Sequence, residues 1–166
     1  KFRVSSSGVP EEQIKEIGGA PRTVEQAEVF DALQTGVVDA QEDTWQNIRG
    51  GKFLQVQDSV IETNHGLIGH LVVAPGDWWD AQPRSFRTEF ARILEEVTKT
   101  GNAAARTAQA EARRAILKNG DTVLVLTEEQ SGGWIGAMKP VWDRYSNDVG
   151  RNNIAAAMKI DKRFQQ

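Results

Sequence analysis

The chain has 166 residues, 20 Lys+Arg against 23 Asp+Glu for a formal net charge of −3, and no cysteine. That length holds one domain with a real core and is too short to assume two complete ones, and the charge balance lacks the basic excess of a nucleic-acid or anionic-membrane surface. Without cysteine there is no disulfide framework, thiolate catalysis or zinc–thiolate site, and no apolar run approaches the ~18 residues of a membrane span.

The opening stretch KFRVSSSG has neither the long apolar core of a signal peptide nor an initiator methionine, so a chain processed or cut from something longer is expected. Lys1 to Ser6 reads as a short strand. Pro10 with Glu11 and Glu12 opens a helix that Gly18 and Gly19 end. Strand followed by helix begins an α/β rhythm. Glu25 to Gln34 places Val29, Phe30 and Leu33 on one helical face, and Gly36 stops it. A cluster of acid, amide and indole follows, Gln41, Glu42, Asp43 and Trp45, which no core requires.

Val56 to Thr63 and Leu67 to Ala74 are β-branched runs, read as strands, separated by the turn-like Asn64, His65 and Gly66. From Pro83, an apolar stripe of Phe86, Phe90, Ile93, Leu94 and Val97 continues into an alanine-rich tract ending near Leu117. This predicts one long helix, or two in line. A single helix of ~35 residues would span roughly 50 Å, more than one compact lobe of this size, and suggests a strut across two lobes. After Gly120, TVLVLT reads as a strand. Thr127 with Glu128, Glu129 and Gln130 forms a helix-capping pattern, and Pro140 is expected to kink or divide that helix. Asn152 to Ile160 reads as a weaker helix, fraying at Gln165 and Gln166.

The segments KFRVSSS, EVFDALQTGVVDAQEDTWQNI, KFLQVQ, TNHG and AMKPVWDRY together resemble the middle and C-terminal part of the solute-binding receptors of tripartite ATP-independent periplasmic (TRAP) transporters. The likeness is to the DctP-type, four-carbon dicarboxylate branch, whose pattern runs from a strand ending in lysine, apolar, arginine, through ALQTGVVDGQEN and KF followed by EVQ, to a TNHG turn. The resemblance covers nearly the whole chain. It implies an α/β, two-lobed periplasmic solute-binding fold, present here as a partial chain with a long lobe-spanning helix. Residues 1–63 would begin the second ligand-binding lobe. Residues 64–82 would form the hinge crossing and a first-lobe strand, 83–119 the bracing helix, and 120–166 a strand and C-terminal helices. The implied function is a periplasmic, non-enzymatic receptor that binds a small organic acid and delivers it to a TRAP membrane permease. A missing N-terminal lobe, or self-association of the chain, is also implied.

By the resemblance, Arg3 takes the place of the arginine that grips the ligand carboxylate. A planar, permanently charged guanidinium suits that task, since it offers parallel donors to both oxygens; the alternative is a strand-end arginine snorkelling to water. Asp43 stands where the family usually has asparagine. An ionised aspartate only accepts, so the position is expected to meet a hydroxyl, an ammonium or Arg3 itself, or else to cap the helix through Trp45 and Ile48. Gln41 is a candidate for bonding the ligand or the hinge. Trp45 is a candidate pocket wall or core residue, and Asn64 a ligand or hinge contact. Gln26 lies where many relatives place an aromatic residue. Ser6 offers a hydroxyl beside Arg3, although a serine run more often forms a solvated turn.

Other chemistries find little support. His65 and His70 are five apart with no third partner, so a metal site is not expected. The adjacent Glu42 and Asp43 do not by themselves make an acid/base pair, the glycines match no phosphate-binding pattern, and no serine sits in a GxSxG elbow. No catalytic residue and no cofactor is expected. The alternatives to a receptor are an α/β protein-interaction module without a small ligand and, behind it, an enzyme acting on an organic acid.

Overall fold

The structure, a computed structural model, describes residues 1–4 and 8–160. Its first unit is a three-stranded parallel sheet in the order β2-β1-β3, built from β1 (Phe2–Val4), β2 (Pro21–Thr23) and β3 (Ala40–Gln41). Parallel strands need crossovers, and α1 (Gly8–Glu16) and α2 (Val29–Gln34) supply them. Gly18 and Gly36, at φ +79° and +71°, close these two helices in the left-handed conformation that a side chain resists. In register, Arg3 lies opposite Arg22 on one side and Gln41 on the other. All three carboxyl ends therefore share one edge, where α/β proteins commonly hold ligands.

The core lies behind this edge. Val29, Ala32, Leu33, Val38, Ile48, Phe53 and Ile116 form one buried cluster, with Val29 and Val38 at 0% exposure. It joins α2 to α3 (Trp45–Gly50) and to α5 (Arg84–Lys118), which follows the short α4 (Gly76–Asp80). Thr44 caps α3 by accepting from the Asn47 N–H at 3.3 Å. A second, two-stranded parallel sheet pairs β4 (Ser59–Glu62) with β5 (Thr122–Val125), placing Glu62 opposite Val125. The chain closes with α6 (Glu128–Arg144), α7 (Ser146–Val149) and α8 (Arg151–Ile160). α6 packs on α1, where Arg144 pairs with Glu12.

The expected order of strands and helices is largely present, with four differences. The Leu67 to Ala74 run forms no strand: residues 63–75 carry no ladder, and Leu67, Leu71 and Val73 are 96%, 90% and 84% exposed. Strand propensity needs a neighbouring edge to pair with, and among the described residues none is offered here. Val56 to Thr63 yields a strand only from Ser59, because a 3-10 turn at Phe53–Gln55 occupies the preceding chain. Pro140 does not divide α6, which continues through it to Arg144 behind the capping box of Thr127 and Gln130. Glu25 to Gln34 is a 3-10 turn followed by a shorter α-helix. The long helix is single and 35 residues in length. Among the described residues, no helix is long and apolar enough to cross a membrane. Gln165 and Gln166 lie outside the described residues.

Candidate functional site

Arg3, the middle residue of β1, is only 6% exposed, so it does not snorkel to water. Its Nε donates to the Val24 carbonyl at 3.0 Å, which fixes the plane of the guanidinium. Among the described residues this is its one hydrogen bond. Its terminal nitrogens meet no partner among the described residues, and a cation this far from water is costly unless something anionic or polar meets it. Gln41, its register partner on β3, has a buried Oε1 without a hydrogen-bond partner among the described residues. Two polar groups with unused capacity thus stand side by side at the sheet's carboxyl edge.

Asp43 follows two residues beyond Gln41. Its Oδ1 accepts from the Thr44 N–H at 2.8 Å and from Asn47 Nδ2 at 2.7 Å, and its Oδ2 accepts from Gln26 Nε2 at 2.9 Å. The donors expected from a ligand are supplied by the chain itself. Nor is Asp43 the helix cap, because Thr44 performs that task one residue later. What Asp43 does locally is tie the 3-10 turn at Gln26–Glu28 to the start of α3. Gln26 and Asn47 also line an open groove of about 420 Å³ with Phe30, Gly50, Gly51 and Phe53.

Trp45 is half-buried against the core cluster, and the guanidinium of Arg113 lies 5.7 Å from its ring centroid. Its packing role is evident from these contacts. Asn64 adopts φ +47° and lines a different, smaller cavity of about 70 Å³ with Gln13, Thr63, His65, Ser131 and Trp134. There His65 accepts or donates at Nδ1 to Thr63 Oγ1 across 2.6 Å and stacks on Trp134 with centroids 6.1 Å apart. Ser6 lies outside the described residues. The structure therefore gathers Arg3, Gln41 and Asp43 at one sheet edge, with Trp45 on the following helix, and puts Asn64 in the unladdered 63–75 segment.

In the sequence Gln26 stands out only as a replacement for an aromatic residue, and no local signal points to its bond with Asp43. The i, i+4 spacing of Asp43 and Asn47 was a readable signal. Arg113 carried none, since its partners Trp45 and Glu62 are distant in the chain.

The profile of the family described as bacterial extracellular solute-binding protein, family 7 (DctP) matches residues 1–148. A protein of Vibrio cholerae serotype O1 named C4-dicarboxylate-binding periplasmic protein DctP is 42% identical over 163 residues, 98% of this chain and 49% of the relative. A TRAP periplasmic solute-binding protein from Shewanella oneidensis, solved with bound succinate, superposes with a TM-score of 0.83 at 34% identity, covering 94% of this chain and 52% of that one. Another from Pseudomonas aeruginosa PAO1, with bound L-malate, gives a TM-score of 0.77 at 34% identity, covering 87% and 50%. The chain spans about half the length of these relatives. With its α/β architecture and a family match running through Asp148, the chain belongs to the DctP family of bacterial extracellular solute-binding proteins.

Proposed function

We propose that this chain forms part of a periplasmic receptor that binds a small carboxylate at the carboxyl edge of the β2-β1-β3 sheet and delivers it to a TRAP membrane permease. The observation that carries this reading is Arg3: a nearly buried guanidinium, held by one backbone carbonyl, whose terminal donors have no partner among the described residues. A carboxylate would satisfy both donors at once. Gln41 is available to accept from a ligand hydroxyl, which suits a hydroxy acid as well as a plain dicarboxylate. The succinate and malate held by the two solved relatives support that class of ligand.

The division into a binding lobe at 1–63, a crossing at 64–82, a bracing helix at 83–119 and a closing unit at 120–166 is part of the same reading. The extended 63–75 segment supports it, being apolar and unladdered, as a strand destined for another lobe's sheet would be. Lobe closure around the carboxylate would supply the difference in affinity between open and closed forms. Calorimetric titration of the complete receptor with succinate and L-malate, followed by recovery of the acid, tests the proposal. Stoichiometric binding with the acid recovered unchanged is expected; turnover of the acid, or no binding of either, would overturn it.

A further inference from the structure

We infer that Arg113 is a positioning residue for the carboxylate site, fastening the start of α3 at Trp45 and the end of β4 at Glu62, just before the crossing, to one point on the long helix. The inference rests on the reading of the sheet edge as the ligand site. Arg113 Nε donates to both carboxylate oxygens of Glu62, at 3.3 and 3.1 Å, and Nη2 donates to Oε2 at 2.8 Å. The carbon of the same guanidinium lies over the Trp45 indole, 5.7 Å from the ring centroid. A planar cation can do both at once, with its donors in the plane and its π-face free to stack. An ammonium cannot.

The two partners occupy telling places. Trp45 is the first residue of α3, two beyond Asp43. Glu62 is the last residue of β4, and Asn64 at φ +47° follows two residues later. Among the described residues, no hydrogen bond, ion pair or ring contact joins Trp45 to Glu62 directly. Around Arg113, the helix grips α3 along a stripe spaced i, i+3, i+4 and i+7. Gln109 Oε1 accepts from the Gln46 N–H at 3.1 Å, and Ala112 and Ile116 are buried. The Glu62 side chain is only 16% exposed, which sets this pair apart from the open ladder of Arg92 with Glu89 and Glu96. The hydrogen bonds to Glu62 raise the pKa of Arg113 above its ordinary value, so the guanidinium stays charged.

A displacement of the end of β4 at Glu62, from which the crossing segment departs, must therefore drag the guanidinium across the indole, or release one of its two partners. Ligand binding at the sheet edge and the geometry of the crossing are tied through one side chain. Such a link is a coupling between residues that do not touch, and a double-mutant cycle measures it.

The complete receptor is titrated with succinate as wild type, Glu62→Gln, Trp45→Phe and the double variant, and the cycle is repeated with Arg113→Met in every protein. Glu62→Gln is near-isosteric and Trp45→Phe keeps an aromatic ring at that position, and circular dichroism confirms folding. In the Arg113 background the double variant is expected to bind about fivefold more tightly than the product of the single effects predicts. With Arg113→Met the two effects should multiply to within about twofold. Arg113→Lys should behave as Arg113→Met, because charge alone does not restore the fork or the stack. Multiplicative effects in both backgrounds, with wild type binding succinate normally, would overturn the inference and leave the site reading intact. A wild type that binds no succinate or L-malate would overturn both.

Discussion

Replacing Arg3 by lysine separates the bond its guanidinium makes within the chain from the ligand contact proposed for it. Inside the chain, Arg3→Lys removes the Nε–H bond to the Val24 carbonyl, a 3.0 Å contact from a side chain only 6% exposed. Water cannot readily replace it. A hydrogen bond from a charged group contributes about 1.5–3 kcal/mol, which in a complete receptor about twice this length lowers the melting temperature by roughly 2–4 °C. Towards the ligand, the ammonium offers a point charge in place of two parallel donors. Succinate affinity in the complete receptor should fall by roughly 10–150-fold. Calorimetric titration and a thermal melt on the same preparation measure the two losses independently. Unchanged affinity beside a lowered melting temperature would leave Arg3 a purely structural residue and refute the site. Unchanged melting would show that the Val24 bond contributes nothing.

Asp43→Asn should cost about 1 kcal/mol of stability, read in a denaturant melt, because three hydrogen bonds lose their charge assistance and the Gln26 amide must turn over to remain paired. The same change removes a negative charge from the neighbourhood of a ligand carboxylate, worth roughly 0.5–2 kcal/mol at ~8 Å, so succinate should bind severalfold more tightly; weaker binding on calorimetry would mean that Asp43 accepts from the ligand after all. These 166 residues expressed alone should self-associate through Leu67, Leu71 and Val73, and a monodisperse monomer in sedimentation velocity would count against the segment being an uncovered strand. The Arg92 side chain holds the Glu89 carboxyl below its ordinary 4.5. A depressed carboxyl stabilises above its unfolded pKa and stops doing so as the pH falls through its folded value. Helicity by circular dichroism should therefore differ between wild type and Glu89→Gln above pH ~4.5 and converge in more acidic buffer.

Much of this architecture could be read from local signals. Glycine at positive φ after α1 and α2, the Thr127 capping box and the apolar stripe of α5 each act within a few residues, so periodicity and cap chemistry reveal them. Where the outcome depends on a distant partner, the reading loses its grip. The two-residue strand Ala40–Gln41 has no propensity signature and exists because β1 offers it an edge. The reverse holds at Leu71, Val72 and Val73, which have the composition of a strand and no ladder. At the site, the identity of Arg3 was legible from the KFRV context and its burial was not. Asp43 shows the sharper limit: its charge suggests a ligand donor, while its actual donors, Gln26 and Asn47, arrive from two different elements.

The long helix α5 is held to the core through Gln109, Ala112, Arg113 and Ile116, close to one end. From there to Arg84 the rod runs on for roughly 40 Å. It is a lever with an off-centre fulcrum: a tilt of ~5° at the Ala112 anchorage moves the far tip by roughly 4 Å, a displacement larger than a hydrogen bond is long. Such an arm transmits motion only as well as it resists bending. Midway along it sits Gly101, where an added methyl would meet no neighbour within 4 Å, so packing does not demand the glycine. Glycine in a helix interior weakens the local turn by roughly 1 kcal/mol relative to alanine. The lever thus contains a compliant turn, and part of any tilt at the anchored end is absorbed as bending before it reaches Phe86, Trp78 and Trp79 at the tip.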